Sequence, residues 1–214
     1  MTILGAVAET WIQRWRHLRL RWLFGVKAPR DCKIGRHVTV SGCLSLGSKV
    51  TIRDDVQLKG DISIGSNSLI ERYVEMSGNI ALGDSCVVGS FTILSTAPAA
   101  RLEVGVDTYI NSYTVIGAMA AVSIGNHCIF AAFVSITDAT HGIEDLSIAT
   151  KHSPIAAKPV TIGDNVWLGS GVIVMMGSRI GNDAVVGARS LVREDLPDRS
   201  ISFGTPAKVH RIRE

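Results

Sequence analysis

Several features that usually direct a reading are scarce in this chain. The four cysteines, Cys32, Cys43, Cys86 and Cys128, show no paired spacing and two of them, Cys86 and Cys128, fall on positions expected to face inward. A disulfide framework is therefore excluded as the basis of the fold, and a reducing compartment is expected. No secretory leader is recognised, and no apolar stretch is long enough to span a bilayer, so the expected location is cytoplasmic. Nothing in the 214 residues resembles an inter-domain linker, and 46% hydrophobic residues supply ample core for one domain.

Charge is sparse as well, at +3 overall, and it is unevenly spread. Residues 1–37 hold eight Lys/Arg against two Asp/Glu, net +6, which leaves the remainder at −3. The net basic excess is confined to this one segment, so no nucleic-acid partner is expected. Within it, Leu4, Val7, Trp11, Trp15, Leu18 and Trp22 step by three and four along one helical stripe that ends at Gly25 and Pro29, flanked by Arg14, Arg16, Arg19 and Arg21. This predicts an N-terminal basic amphipathic helix over residues 1–28, followed by a single domain over 29–214. Two roles stay open for the helix. It caps the end of the domain or packs between subunits, or residues 4–24 lie in the headgroup layer of an anionic membrane, which makes the protein peripheral at the inner face of the cytoplasmic membrane.

What the chain has in abundance is a period of six. Ile34, Val40, Leu46, Ile52, Leu58, Ile64, Ile70, Met76, Leu82, Val88 and Leu94 are aliphatic at every sixth position, often with glycine next, as in Ile34-Gly35, Leu46-Gly47, Ile64-Gly65 and Leu82-Gly83. Neither a helix nor a flat strand produces that spacing; a parallel β-helix of hexapeptide repeats does, and the predicted class is all-β. Each hexad makes one face of a triangular prism and three make a coil. The fourth residue after each aliphatic, Val38 through Thr92, is expected to turn inward at a corner. Gly and Asp/Asn positions such as Asp54-Asp55, Gly60-Asp61, Gly78-Asn79 and Gly83-Asp84 are expected to supply the turns, where positive φ is tolerated.

The phase of the repeat locates its interruptions. It returns at Val104, Ile110 and Ile116 after four inserted residues around Ala97-Pro98-Ala99-Ala100, then slips by two before Ile124, Phe130 and Ile136. The next in-phase aliphatic is Ile162, so about twenty residues are extruded within 137–160, and regular hexads follow at Leu168, Val174, Ile180, Val186 and Val192. Long loops inside a compact repeat are usually functional. This one carries His141 and His152, two of the six histidines.

At the loop and the last coils the motifs become specific. They are Thr137-Asp138-Ala139-Thr140-His141-Gly142, then Pro159-Val160-Thr161-Ile162-Gly163-Asp164-Asn165-Val166-Trp167-Leu168-Gly169-Ser170, Ile180-Gly181-Asn182-Asp183-Ala184-Val185-Val186-Gly187-Ala188, Glu194-Asp195-Leu196-Pro197 and Gly204-Thr205-Pro206-Ala207-Lys208-Val209. With these the chain resembles the hexapeptide-repeat acetyltransferases of the maltose and galactoside O-acetyltransferase branch, from about Ile34 to its end. The Trp/Arg-rich N-terminal segment is similar to that of members acting on lipopolysaccharide or capsule sugars.

The resemblance implies a left-handed parallel β-helix with an extruded catalytic loop, a homotrimer, acetyl-CoA as co-substrate and a sugar or glycan acceptor. By position it implies His141 as the catalytic base, with His152 its competitor, and Asn111 as an acceptor-binding amide that donates and accepts at once. It implies that Trp167 and Ser170 line the pantetheine end with a backbone N–H near Ser170 facing the oxyanion, that the Ala188 backbone bonds the pantetheine arm, and that Lys208 and Arg211 meet the coenzyme phosphates. The family's Thr-Lys before Asp-Leu-Pro is here Arg193-Glu194. Arg193 replaces the lost lysine charge, whereas Glu194 repels a nearby phosphate. Glu144 and Asp145 either orient His141 or solvate the loop.

The implied activity is acetyl transfer to a sugar hydroxyl in a surface polysaccharide or its lipid-linked precursor, by direct attack, because no cysteine sits on the loop to form an acyl-enzyme. An amino-sugar N-acetyltransferase acting on nucleotide sugars and a non-catalytic β-helical scaffold remain as alternatives. No metal is expected: His127, His141 and His152 lack the pairing on adjacent coil positions that a three-histidine zinc site requires.

Overall fold

The computed structural model describes residues 26–214. Residues 1–25 of the expected helix over 1–28, with its apolar stripe, lie outside the described residues; residues 26–28 are not helical, because Val26 and Ala28 are buried with the core and Lys27 bridges in parallel to Ser45. The repeat folds as expected into a parallel β-helix. First-face rungs such as Lys33–Ile34, Thr51–Ile52 and Leu69–Ile70 stack in parallel, with Lys33 opposite Thr51 eighteen residues on. Thr39–Leu46, Gln57–Ile64 and Glu75–Leu82 each run across the second and third faces and pair along their whole length.

The driving force is the aliphatic column along the axis. Ile52, Ile70, Val88, Ile110, Phe130 and Leu168 stack on the first face, each at most 1% exposed, and each such side chain contributes on the order of 1.5–3 kcal/mol by burial. The corner positions Leu44, Val50, Val56, Ile62, Ser68, Val74, Ile80, Cys86 and Thr92 are buried as predicted, but Val38 is only partly covered. Cys32 also proves to face inward beside Cys86 and Cys128, and these three thiols donate to the carbonyls of Gly47, Gly105 and Gly163 at 3.0–3.2 Å. Burial pushes all three thiols above the ordinary cysteine range, so they are packing groups rather than nucleophiles.

Asp55, Gly60 and Gly78 take positive φ as expected, but Gly83 does not. Gly83, after the inward Leu82, is needed for close approach and not for positive φ, because a Cβ there would lie 2.8 Å from the backbone of Gly105 and Val106 in the next coil. After the aliphatics of the first and third faces, positive φ falls on the third residue. Between the third and first faces these are Lys49, Asn67, Ser85, Asp107, His127, Asn165, Asp183 and Arg199. Between the first and second faces they include Tyr73, Phe91, Tyr113 and Phe133, at φ of 59–64°. Aromatics are costly in this region. Their rings stack one on the next at 4.8, 5.1 and 5.0 Å, which offsets part of that cost.

All three interruptions open at one corner, between the second and third faces, where the early coils turn on Gly42, Gly60 and Gly78. Four residues lie between Ile93–Thr96 and Arg101–Val104, and two, Met119 and Ala120, between Val115–Ala118 and Ala121–Ile124. The third interruption is an arm. Ser135–Thr137 completes the second face and Val160–Ile162 resumes the third, Val160 opposite Val122, twenty residues beyond a regular coil. The final rung, Ser200–Gly204, is covered by the antiparallel strand Ala207–Ile212, which closes that sheet edge.

Candidate active site

The arm is an antiparallel hairpin of Ala139–His141 with Ile155–Ala157, so that Ala139 faces Ala157 and His141 faces Ile155. Gly142 N–H donates to the Pro154 carbonyl at 2.8 Å just beyond His141. His141 is exposed and its imidazole makes no hydrogen bond among the described residues. A neutral, unpaired imidazole keeps a ring nitrogen available as a proton acceptor. His152 is exposed too, in the 3-10 turn Thr150–His152. Asp145 does not reach His141: its carboxylate accepts from the hydroxyl and N–H of Ser147 at 2.6 and 2.9 Å, and those bonds hold it below the usual carboxylate range.

Asn111, Ser170 and Ala188 share the corner between the first and second faces, one, two and two residues after Ile110, Leu168 and Val186. Asn111 is half-buried rather than buried, and its Oδ1 accepts from the Ser112 N–H at 2.7 Å. Its Nδ2 has no partner among the described residues, so the group offers chiefly a donor, where the sequence suggested donor and acceptor at once.

Ser170 and Ala188 are exposed, and their backbone N–H groups differ from the equivalent groups at the corner between the third and first faces. There the N–H of Ser66, Asn126, Asp164 and Asn182 is taken by a side-chain oxygen of Asp84, Asp164, Asn182 and Asp198 from the next coil, at 2.6–2.9 Å. The N–H groups of Ala132, Ser170 and Ala188 have no acceptor among the described residues. Open donors stacked one per coil suit a chain-like ligand with carbonyl oxygens, or a developing oxyanion. Trp167, 53% exposed, stands on the adjoining first face between Ile129 and Val185.

The expected phosphate-binding cations are not all open. Lys208 Nζ lies 2.8 Å from Glu194 Oε2 and Arg193 Nε lies 3.9 Å from Glu194 Oε1, so Glu194 draws two of the three cations onto itself instead of only opposing a phosphate. Arg211, opposite Ile201 at the end strand, is exposed and makes no ion pair among the described residues.

Within one chain, then, Asn111, Ser170, Ala188 and the face bearing Trp167 form one lined corner, and His141 hangs from a different corner. Sequence reasoning missed Asp138. Its carboxylate, 0% exposed, accepts the N–H of Met119 at 2.6 Å and of Ala120 at 2.8 Å at the root of the arm. The signal for it was the two-residue slip one coil earlier, which supplies both donors.

Residues 159–194 match the family model for the bacterial transferase hexapeptide (six repeats). A galactoside O-acetyltransferase of Lactococcus lactis is 41% identical over 52% of this chain and 53% of its own length. A putative lipopolysaccharide biosynthesis O-acetyl transferase of Escherichia coli is 36% identical over 47% of this chain and 55% of its own. The chain thus spans about half the length of the curated relatives it matches. A galactoside acetyltransferase solved in complex with coenzyme A superposes with a TM-score of 0.50, at 28% identity, over 60% of this chain and 64% of that one. The resemblance read from the motifs is borne out: the chain is similar to hexapeptide-repeat transferases, and the relatives it matches include a galactoside and a putative lipopolysaccharide O-acetyltransferase.

Proposed function

We propose that this chain is a left-handed β-helix acetyltransferase, which moves an acetyl group from acetyl-CoA to a hydroxyl of a sugar in a surface polysaccharide or its lipid-linked precursor. The observation that carries the reading is the pairing of two features of one fold. An unpartnered imidazole stands on the one arm extruded from the described coils, and a column of open backbone donors lies at Ser170 and Ala188. Relatives named for galactoside, lipopolysaccharide and colanic acid acetylation support the acceptor class, and the coenzyme A complex of the galactoside enzyme supports the donor.

In this reading a ring nitrogen of His141 takes the proton of the acceptor hydroxyl as its oxygen attacks the thioester carbon. The resulting oxyanion is held by the N–H near Ser170. Collapse breaks the carbon–sulfur bond, and the departing thiolate takes the proton back from the imidazolium, which leaves the acetyl ester and free coenzyme A. Asn111 Nδ2 donates to the acceptor, Trp167 and the Ala188 N–H flank the pantetheine arm, and Arg193, Lys208 and Arg211 face the phosphates.

His141 and the lined corner belong to different edges of the prism, so a complete site needs the arm of one subunit beside the corner of another. Ile143, Leu146 and Ile155 on the arm are 70%, 95% and 49% exposed, the apolar surface such a contact would cover, and a homotrimer closes it symmetrically. No helix among the described residues is long and apolar enough to cross a membrane. Residues 4–24 either cap the coils or pack between subunits, or attach the protein to the cytoplasmic face of the membrane.

Mass spectrometry of surface glycans and lipid-linked precursors from the native host, wild type against His141→Ala, tests the proposal. Acetyl-sized mass losses confined to the variant are expected. Identical glycans in the two strains would remove the O-acetyl reading and direct the search to nucleotide-sugar amines.

A further inference from the structure

Asp138 is the one buried charged side chain among the described residues, and no cation pairs with it. Burying a carboxylate is unfavourable unless its oxygens are well supplied with donors, and an apolar residue there would serve the core better. The reason for a carboxyl at this position lies in the donors it meets rather than in core packing. Both oxygens are engaged, Oδ1 by the Met119 N–H at 2.6 Å and Oδ2 by the Ala120 N–H at 2.8 Å. The exposed Asp84 and Asp198 caps each take a single corner N–H from the coil before, on a single oxygen.

The same residue ties the arm to the prism through its backbone. The Asp138 carbonyl accepts the N–H of Lys158, where the arm returns, at 2.8 Å, and the Lys158 carbonyl accepts the Gly177 N–H of the following coil at 3.0 Å. Three successive coils are thereby joined at the arm's root. His141 lies only three residues beyond Asp138, at the end of the short strand that starts at Ala139.

We propose that Asp138, gripping the two-residue insertion Met119–Ala120, is a positioning residue that sets the direction in which the arm presents His141. The two-residue slip and the twenty-residue extrusion are then one device: the first supplies the donors that the second needs at its base. This inference rests on His141 being the base. A general base displaced by about 1 Å loses on the order of a hundredfold in rate, so a charged clasp at the root has a steep effect on turnover and little on binding of the donor.

The test has a part that needs no turnover. In the full-length wild type, single-residue hydrogen exchange is expected to be at least about tenfold slower at Met119 and Ala120 than at the open corner amides Ala132 and Ser170. Asp138→Asn replaces one acceptor by a donor facing an N–H and should erase that protection. Equal exchange at all four amides in the wild type overturns the clasp, whether or not the variant folds.

The functional part follows thiol release from acetyl-CoA, with detergent extract of the host's membranes as acceptor. Asp138→Asn is expected to lower kcat between about 10- and 100-fold with the KM for acetyl-CoA unchanged, and to cause no further loss when added to His141→Ala. Unchanged kcat, or an equal loss with and without His141, overturns the positioning role. Full turnover by His141→Ala alone would instead dismiss the base, while the exchange result would still decide the clasp.

Discussion

Lys208 Nζ, proposed above to face the coenzyme phosphates, sits 2.8 Å from Glu194 Oε2. The hydrogen bond from Lys208, and then its charge, hold the Glu194 carboxyl below the usual carboxylate range. A depressed carboxyl favours the folded pair above its unfolded pKa and loses that contribution as pH falls through the folded value, so acidification releases Lys208. At neutral pH, Glu194→Gln should therefore bind coenzyme A roughly two- to fivefold more tightly by calorimetry at low ionic strength, with the gain shrinking in high salt. Unaltered affinity would take Lys208 out of the phosphate contacts.

His141→Ala should leave coenzyme A binding and subunit association intact while turnover falls by at least about a hundredfold. Steady-state kinetics together with sedimentation would separate these effects. If turnover persists and His152→Ala abolishes it, the base is His152 in the turn before the returning strand.

Gly78→Ala places a methyl group against the Thr96 side chain of the next coil at a backbone φ of +103°. Strain and overlap together predict a loss of about 2–4 kcal/mol in urea unfolding. Gly117→Ala makes the control, because its added carbon would meet only Ser95 Oγ at 3.9 Å. It should change stability by less than about 0.5 kcal/mol.

Leu146, 95% exposed near the end of the arm, can be covered only by something outside its own coils. Leu146→Glu should shift sedimentation toward the monomer and lower turnover in parallel, with the β-sheet circular dichroism unchanged. A stable trimer with full activity would place the subunit contact elsewhere.

Much of this was legible in the chain itself, and for one reason. A stacked coil must place an aliphatic on its axis every sixth residue, so Ile34 through Val192 report their own register, and insertions of four, two and twenty residues appear as slips of phase. The extruded arm and its histidine follow from that count alone. Only the tertiary structure decided the rest, because it depends on what lies one coil above or below. Neighbouring backbone one coil away makes Gly83 obligatory, and the Met119–Ala120 corner turns Asp138 from a loop carboxylate into a buried clasp. Glu194 meets Lys208 for the same reason. A short-range pattern dictates which side chains face inward; the partners of the others are set by stacking, which brings together residues some fourteen to thirty-eight positions apart.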